Sequence, residues 1–507
     1  MRRLALLALA IVCAACIAAP APSITPTSTV APTPTEVPAA TPLPVTDLLP
    51  YRAAMKPEFA AEVDRFGNVP RYRIDLTIAP DLKSYSATQV VTYTNAETAT
   101  LNEVYFSLFP NLDSYGGKLQ VKALRVNGQD VAPTLEEDNA ALKVALAQPL
   151  RPGQSITVAM SYSGAVPTSD VKHGDNQFGL HDNVLTLPNF YPQIPSYDDH
   201  GWHIKPGPGY GDTVFSDTAL YQVNLTAPAE EVVAASGVCN VAEDSQPSRG
   251  GQTLHCVSGP MRDFMIAMSP DFEVKSDVVD GVKINSYVRK ANDKGGGQAL
   301  QAAVDAVRSY DRRFGQYPFA ELDVVATPTT AGGIEYPGLV VIADSLYPGG
   351  GPELDLVVAH EAAHQWWYSL VGDDQVNDPW LDEALAEFSS ALFFRDRYGD
   401  LGMNALVQYW QMSYDQVKGK PEDKRADLPV SAYSESQYGA IVYSKAPLFY
   451  HALYEALGNE KFDQFLREYS QTYRYGVAYP KDLFAIAAKY VDQKTLDKLV
   501  KQWIMGP

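Results

Sequence analysis

Positive charge is in short supply here. Lys and Arg number 40 against 60 Asp and Glu, a formal net charge of −20. A chain this acidic repels phosphate backbones, which excludes nucleic acid as a partner. Long apolar runs are missing from the interior, where no stretch reaches the roughly 18 residues needed to cross a bilayer. Charged residues are only 20% of the chain against 46% hydrophobic, which excludes global disorder and allows large packed cores. Cysteine is rare: four in 507 residues, two of them in the first 16. A chain of 507 residues is too long for one ordinary domain and suggests two or three.

The N-terminus reads as an address. Arg2 and Arg3 precede an apolar run from Leu4 to Val12, then Cys13-Ala14-Ala15-Cys16. A basic start, a short apolar stretch and small residues form an export signal. Ala14-Ala15-Cys16 resembles the lipobox of bacterial lipoproteins, which implies acylation at Cys16 and a membrane anchor. Cys13 stands where that motif usually carries Leu, and plain secretion is the alternative. Because the C-x-x-C spacing lies inside the signal, it is not read as a metal or redox motif. Residues 17–50 are rich in Pro, Thr and Ala and form a linker, either an extended stalk or a leader with no spacing role. In an exported protein Cys239 and Cys256 are expected to form a disulfide between hairpin strands Val232–Val241 and Gln252–Val257.

The body changes texture near residue 273. Tyr72–Ile78 and Tyr221–Leu225 alternate apolar and polar residues with period two, and Asn127-Gly128 and Pro152-Gly153 mark turns. Residues 51–273 therefore read as an antiparallel β domain. Residues 274–507 are mostly helical in pattern. Helices are expected at Gln298–Phe314, Leu354–Val371, Pro379–Arg397, Leu401–Gln416, Ile441–Leu457, Lys461–Tyr473, Lys481–Tyr490 and Thr495–Ile504, with a short strand at Leu322–Thr327. The fold class is α+β, multidomain.

Chemistry concentrates in the second half. His360-Glu361-Ala362-Ala363-His364 falls in a helical stretch, where residues four apart share a face. Two imidazoles so placed can bind one zinc ion, with the intervening Glu361 in reach of an attacking water. A hydrolytic zinc site wants a third protein ligand. Glu383 lies 18 intervening residues beyond His364, enough for one helix to end and a second to return a carboxylate. Pro379 suits the first turn of that second helix. Glu387, four residues after Glu383, shares its face and is placed to hydrogen-bond a ligand imidazole; otherwise it is an ordinary helical glutamate.

This pattern resembles the gluzincin metallopeptidases. Trp380-Leu381-Asp382-Glu383-Ala384 is similar to the W-L-N-E-G segment of the aminopeptidase N and leukotriene hydrolase family, with Asp for Asn and Ala for Gly. Gly332-Gly333-Ile334-Glu335-Tyr336 resembles the family's G-x-M-E-N motif, with Tyr336 for Asn. The resemblance implies that Glu335 binds a substrate's α-amino group and that Gly332 and Gly333 expose backbone to the peptide. Ile441–Ala446 resembles the family's Y-x-K-G helix, which makes Tyr443 the donor to the oxyanion. Tyr438 is expected to line the same cleft. Phe314–Phe319 resembles the family's F-G-x-Y-P-F turn.

The resemblance covers most of residues 51–507. It implies a saddle-like β domain followed by a thermolysin-like zinc peptidase domain, one zinc per chain and peptide substrates. Many family members continue into a helical C-terminal domain, whereas this sequence stops at Pro507; the expectation is an open cleft or one closed by another chain. The function so implied is an aminopeptidase. A zinc endopeptidase or other hydrolase on the same fold, and a non-catalytic surface binding protein, stay open. Asp198–His203 could bind metal or form a loop near the domain junction. Trp366 and Trp367 are expected in the core, and Asn224-Leu225-Thr226 is a glycosylation sequon in form only.

Overall fold

The computed structural model describes residues 47–169, 175–212, 214–243, 245 and 251–506. The leader, Cys16 and nearly all of the Pro/Thr-rich linker lie outside the described residues. Among the described residues no helix is long and apolar enough to cross a membrane.

Period-two patterning builds the first half. In strand Arg71–Ile78, Tyr72, Ile74, Leu76 and Ile78 are buried while Asp75 and Thr77 are exposed. That strand sits inside an eight-stranded sheet flanked by Leu220–Pro228 and Ser84–Thr94. Smaller three- and four-stranded sheets pack with it around one core, in which the rings of Tyr72 and Tyr221 stack at 4.9 Å. The sheet is not wholly antiparallel, as the sequence suggested. Arg71–Ile78 runs parallel to Leu220–Pro228, with Arg71 opposite Leu220. Parallel neighbours need a long connection, and here most of the domain supplies it.

The expected hairpin around the cysteines is also different in detail. Val232–Ala235 belongs to the four-stranded sheet and Val238–Val241 to the eight-stranded one. Gly237 makes the switch at φ +86°, where a Cβ would lie 2.2 Å from the Val257 carbonyl. Cys239 and Cys256 then face each other across Val238–Val241 and Gly251–Val257 and are joined by a disulfide.

The texture boundary at 273/274 falls inside strand Phe272–Val279. That strand opens a five-stranded sheet continued by Val282–Arg289, Glu321–Thr327, Leu339–Ala343 and the edge strand Gly333–Ile334. Two short 3₁₀ turns, Leu49–Ala54 and Pro57–Arg65, also lack β structure. Tyr51, Val63 and Phe66 from this segment join the hydrophobic core of the helical half.

Against the five-stranded sheet pack α1 (Asp293–Phe314) and α2 (Pro352–Ala363), with α3 (Trp380–Tyr398) against both and α4 (Asp400–Asp415) against α3. Further along come α5 (Glu435–Ala440), α6 (Pro447–Leu457), α7 (Asn459–Tyr473), α8 (Pro480–Ala487) and α9 (Gln493–Val500). Trp366 and Trp367 are fully buried in this core, with their indole N–H groups donating to the Gly315 carbonyl and to Ser389.

Candidate active site

Helices α2 and α3 bring three donors to one point. His360 Nε2 lies 3.1 Å from His364 Nε2 and 3.2 Å from Glu383 Oε2, and His364 Nε2 lies 3.4 Å from the same oxygen. A tetrahedral zinc with ligands at about 2.0–2.2 Å would separate them by about 3.3–3.6 Å. The trio therefore fits zinc in chemistry and comes within about 0.2 Å of that spacing. Pro379, immediately before α3, starts the helix so that Glu383 falls in its first turn, beside α2.

Helix α2 stops at Ala363, well short of the expected Val371. The break has a use. The chain turns at Tyr368, φ +113°, and the Trp367 carbonyl comes back to accept from His364 Nδ1 at 2.9 Å. A carbonyl can only accept, so Nδ1 carries the proton and Nε2 is the nitrogen directed at the trio. Within a continuous helix that carbonyl would be engaged with the next turn. The role expected of Glu387 is not met. Its Oε1 stands 3.7 Å from His360 Nδ1, beyond hydrogen-bond range, because Trp410 Nε1 holds the other carboxylate oxygen at 3.1 Å.

Glu361 is buried on α2 beneath the sheet edge. A Cβ on Gly333 would come within 2.4 Å of Glu361 Oε1, so only glycine lets the edge strand pass there. Gly332 has no such constraint: its nearest neighbour to an added Cβ would be Val357, at 3.7 Å. Gly333–Ile334 is the last strand of its sheet and leaves one backbone edge open to a peptide. Glu335 directly follows this strand and is buried. Gln375, which sequence reasoning missed, donates from one amide nitrogen to Glu335 Oε1 at 2.8 Å and to Asp382 Oδ2 at 2.9 Å. It sits in the loop between α2 and α3, and no spacing rule points to it.

Tyr443 reaches the trio through an irregular turn. The expected helix from Ile441 is broken into a π-turn, Ile441–Lys445, where the Ala446 N–H bonds the Ile441 carbonyl, followed by Pro447 at the start of α6. Buried Lys445 anchors that turn through Asp423 and the backbone carbonyls of Lys424 and Gly506. The Tyr443 hydroxyl donates to Glu383 Oε1. The buried Tyr438 ring packs 5.6 Å from Tyr443, and its hydroxyl has no hydrogen-bond partner among the described residues.

Charge is shared tightly in this cluster. Burial disfavours a charged His360 ring, but Glu383 and neighbouring carboxylates outweigh it and hold the ring at about 9. His364 is pushed well above the ordinary range against the same burial by Glu335, Glu383 and Asp382. Burial would raise Glu383, but the two rings overcome it and hold the carboxyl well below its ordinary value. For Glu361 burial dominates and lifts the carboxyl to about 8. Zinc and protons compete for the same ring nitrogens, so zinc binding would release protons.

Every catalytic, metal-ligating and substrate residue expected from sequence, with Glu387, lines one cavity of about 350 Å³. Asp212 also lines it, from a segment that the sequence did not single out. Burial, together with Glu335 and Glu383, pushes the Asp212 carboxyl well above the carboxylate range. The Asp198–His203 segment lies apart. His203 Nε2 is 2.9 Å from Asp198 Oδ2, and His200 and His203 face a separate cavity of about 760 Å³. Among the described residues, the side chains that converge as metal ligands are His360, His364 and Glu383, and the overlapping set Glu335, Glu361 and His364.

Residues 298–503, which hold the zinc trio, Glu335, Glu361 and Tyr443, match the peptidase family M1 domain. Similar proteins include aminopeptidase M1-C of Oryza sativa subsp. japonica, 25% identical over 477 residues, or 89% of this chain and 52% of that protein. Aminopeptidase N of Haemonchus contortus is 23% identical over 77% of this chain and 40% of its own length. This chain thus spans about half or less of these curated relatives. The M1 zinc metallopeptidase of Deinococcus radiodurans shares the fold, with TM-score 0.66 and 21% identity over 87% of this chain and 93% of that one. In this chain the residues that match that domain follow a β domain.

Proposed function

We propose that this chain is a zinc-dependent aminopeptidase that releases N-terminal residues from peptides. The observation that carries this reading is the position of Glu335. A buried carboxylate at the end of an open strand edge stands in the same cavity as the zinc trio, and that cavity is only about 350 Å³. A peptide paired on the edge would meet Glu335 with its ammonium and stop there, placing its first carbonyl at the metal.

The chemistry that zinc supplies when bound is Lewis acidity and a lowered pKa for water. His360, His364 and Glu383 would hold the ion. Glu361 takes a proton from the attacking water and returns one to the leaving amine; its raised pKa suits both halves of that task. The Tyr443 hydroxyl donates to the oxyanion as charge develops there. Glu335 binds the ammonium through a charge-assisted contact, steadied by Gln375.

The test is a comparison of free and N-acetylated forms of one peptide. Acetylation removes the positive charge and leaves Glu335 without its partner, so the wild type should reject the acetylated form. Glu335→Ala should raise KM for the free peptide and lower kcat, because the carbonyl is no longer held against the metal. Equal cleavage of the two forms by wild-type protein would overturn the exopeptidase reading in favour of an endopeptidase.

The same reading includes export and lipid anchoring at Cys16. The basic start, the apolar run and Ala14-Ala15-Cys16 support it, as does the Cys239–Cys256 disulfide, a bond of oxidising compartments. Cys16→Ser should abolish incorporation of labelled fatty acid; unchanged labelling would sink the anchor.

A further inference from the structure

Tyr368 holds a backbone conformation that a residue with a large side chain seldom takes. Its φ is +113°, in the region that glycine enters freely and that a bulky residue enters only where its surroundings force it. Those surroundings grip it at three points. The Tyr368 N–H donates to the Val371 carbonyl at 2.9 Å, and the Tyr368 carbonyl accepts from Arg262 Nε at 2.7 Å. The Tyr368 hydroxyl donates to Asp263 Oδ2. All three side chains are buried.

Arg262 and Asp263 come from the β domain, in the connection between strands Gly251–Val257 and Met265–Ser269. Arg262 is itself fixed. Its Nη1 donates to the Ser216 carbonyl at 3.0 Å and its Nη2 to the Gly476 carbonyl. A Cβ on Gly372 would lie 2.0 Å from the guanidinium carbon, so the chain closes directly over it. The rigid fork of a guanidinium suits this task of tying together carbonyls from three separate segments.

The effect of the forced turn lies one residue back. The Trp367 carbonyl belongs to the planar peptide unit that ends at the Tyr368 nitrogen. With the ring and carbonyl of Tyr368 both held, its φ fixes the plane of that unit and hence the direction of the Trp367 carbonyl. That carbonyl accepts from His364 Nδ1 at 2.9 Å, while the Ser369 N–H closes the turn on the His364 carbonyl at 3.0 Å.

We propose that Arg262 and Asp263 are positioning residues for the metal: by holding Tyr368 at positive φ they keep the Trp367 carbonyl on His364 and raise the zinc affinity of the site. The inference rests on the zinc ligands of the reading above and adds to it a dependence on the β domain.

The test is the zinc affinity of metal-free protein, measured at one fixed pH by competition with a chromophoric chelator. Asp263→Ala and Tyr368→Phe should each weaken zinc binding about 10-fold, the lower end of what partners of metal ligands bring. Asp263→Asn keeps an acceptor for the tyrosine hydroxyl and should stay within about threefold of wild type. Tyr368→Gly separates positioning from packing. It loses the same hydroxyl and the whole ring, but glycine takes φ +113° unaided. It should therefore bind zinc more tightly than Tyr368→Phe, even as the thermal midpoint of the metal-free protein falls below that of Tyr368→Phe. Zinc binding weaker in Tyr368→Gly than in Tyr368→Phe, or unweakened in Asp263→Ala, would overturn the proposal alone. Should Tyr368→Gly fail to fold, equal affinities in Asp263→Ala and Asp263→Asn would overturn it. Wild-type protein that binds no zinc would overturn the ligand assignment and this inference with it.

Discussion

Glu361→Gln should cost turnover of an aminoacyl amide a factor of roughly 100 to 10,000, the usual contribution of a positioned acid–base group. Zinc content should stay at the wild-type level. Gln has the shape of Glu and fits the same space beneath Gly333, where an added Cβ would approach Glu361 Oε1 to 2.4 Å. What it lacks is a carboxylate able to accept water's proton and pass one to the leaving amine. Neither Glu335 nor Glu383 substitutes readily. Glu335 is held by Gln375, and Glu383 is engaged by the two imidazoles and Tyr443. In the same assay Tyr443→Phe should lower kcat by roughly 100- to 1,000-fold, the cost of one oxyanion donor. Near-normal rates in either variant would remove that residue from the mechanism.

His364→Ala should reduce zinc from about one per chain to a small fraction of that, and activity with it. The imidazole is buried, and its Nδ1 is committed to the Trp367 carbonyl, so its Nε2 is oriented before any metal arrives. Alanine leaves two protein donors where a hydrolytic site uses three. Elemental analysis of purified protein decides the matter, and undiminished zinc would refute the ligand assignment.

What could be read in the sequence was what local geometry dictates. Two histidines four apart on a helix, and a glutamate at the start of the next, need only helical periodicity and a turn of adequate length. Their convergence to within 3.4 Å follows from both. Glu335 was legible through the resemblance of Gly332–Tyr336 to the G-x-M-E-N motif. The β half was legible from alternation, but the parallel pairing of Arg71–Ile78 with Leu220–Pro228 was not. Arg71 opposite Leu220 depends on contacts between strands about 150 residues apart, which period-two patterning leaves undetermined.

The remaining differences share that origin. Helix propensity continues through His364 and Ile441, whereas the structure breaks both helices to aim a side chain, one through the Trp367 carbonyl and the other through a π-turn. Glu387 has the spacing of a histidine partner, but Trp410 from another helix holds it 3.7 Å away. Gln375 and Asp212 lie in loops whose places are set by packing.

The most direct test of the central claim is mass spectrometry of the products from a free-amine peptide incubated with zinc-loaded, chelated and zinc-restored protein. The account predicts peptides shortened one residue at a time from the N-terminus, no cleavage after chelation, and recovery on adding about one equivalent of zinc. Internal fragments, or N-terminal release that survives chelation, would contradict it.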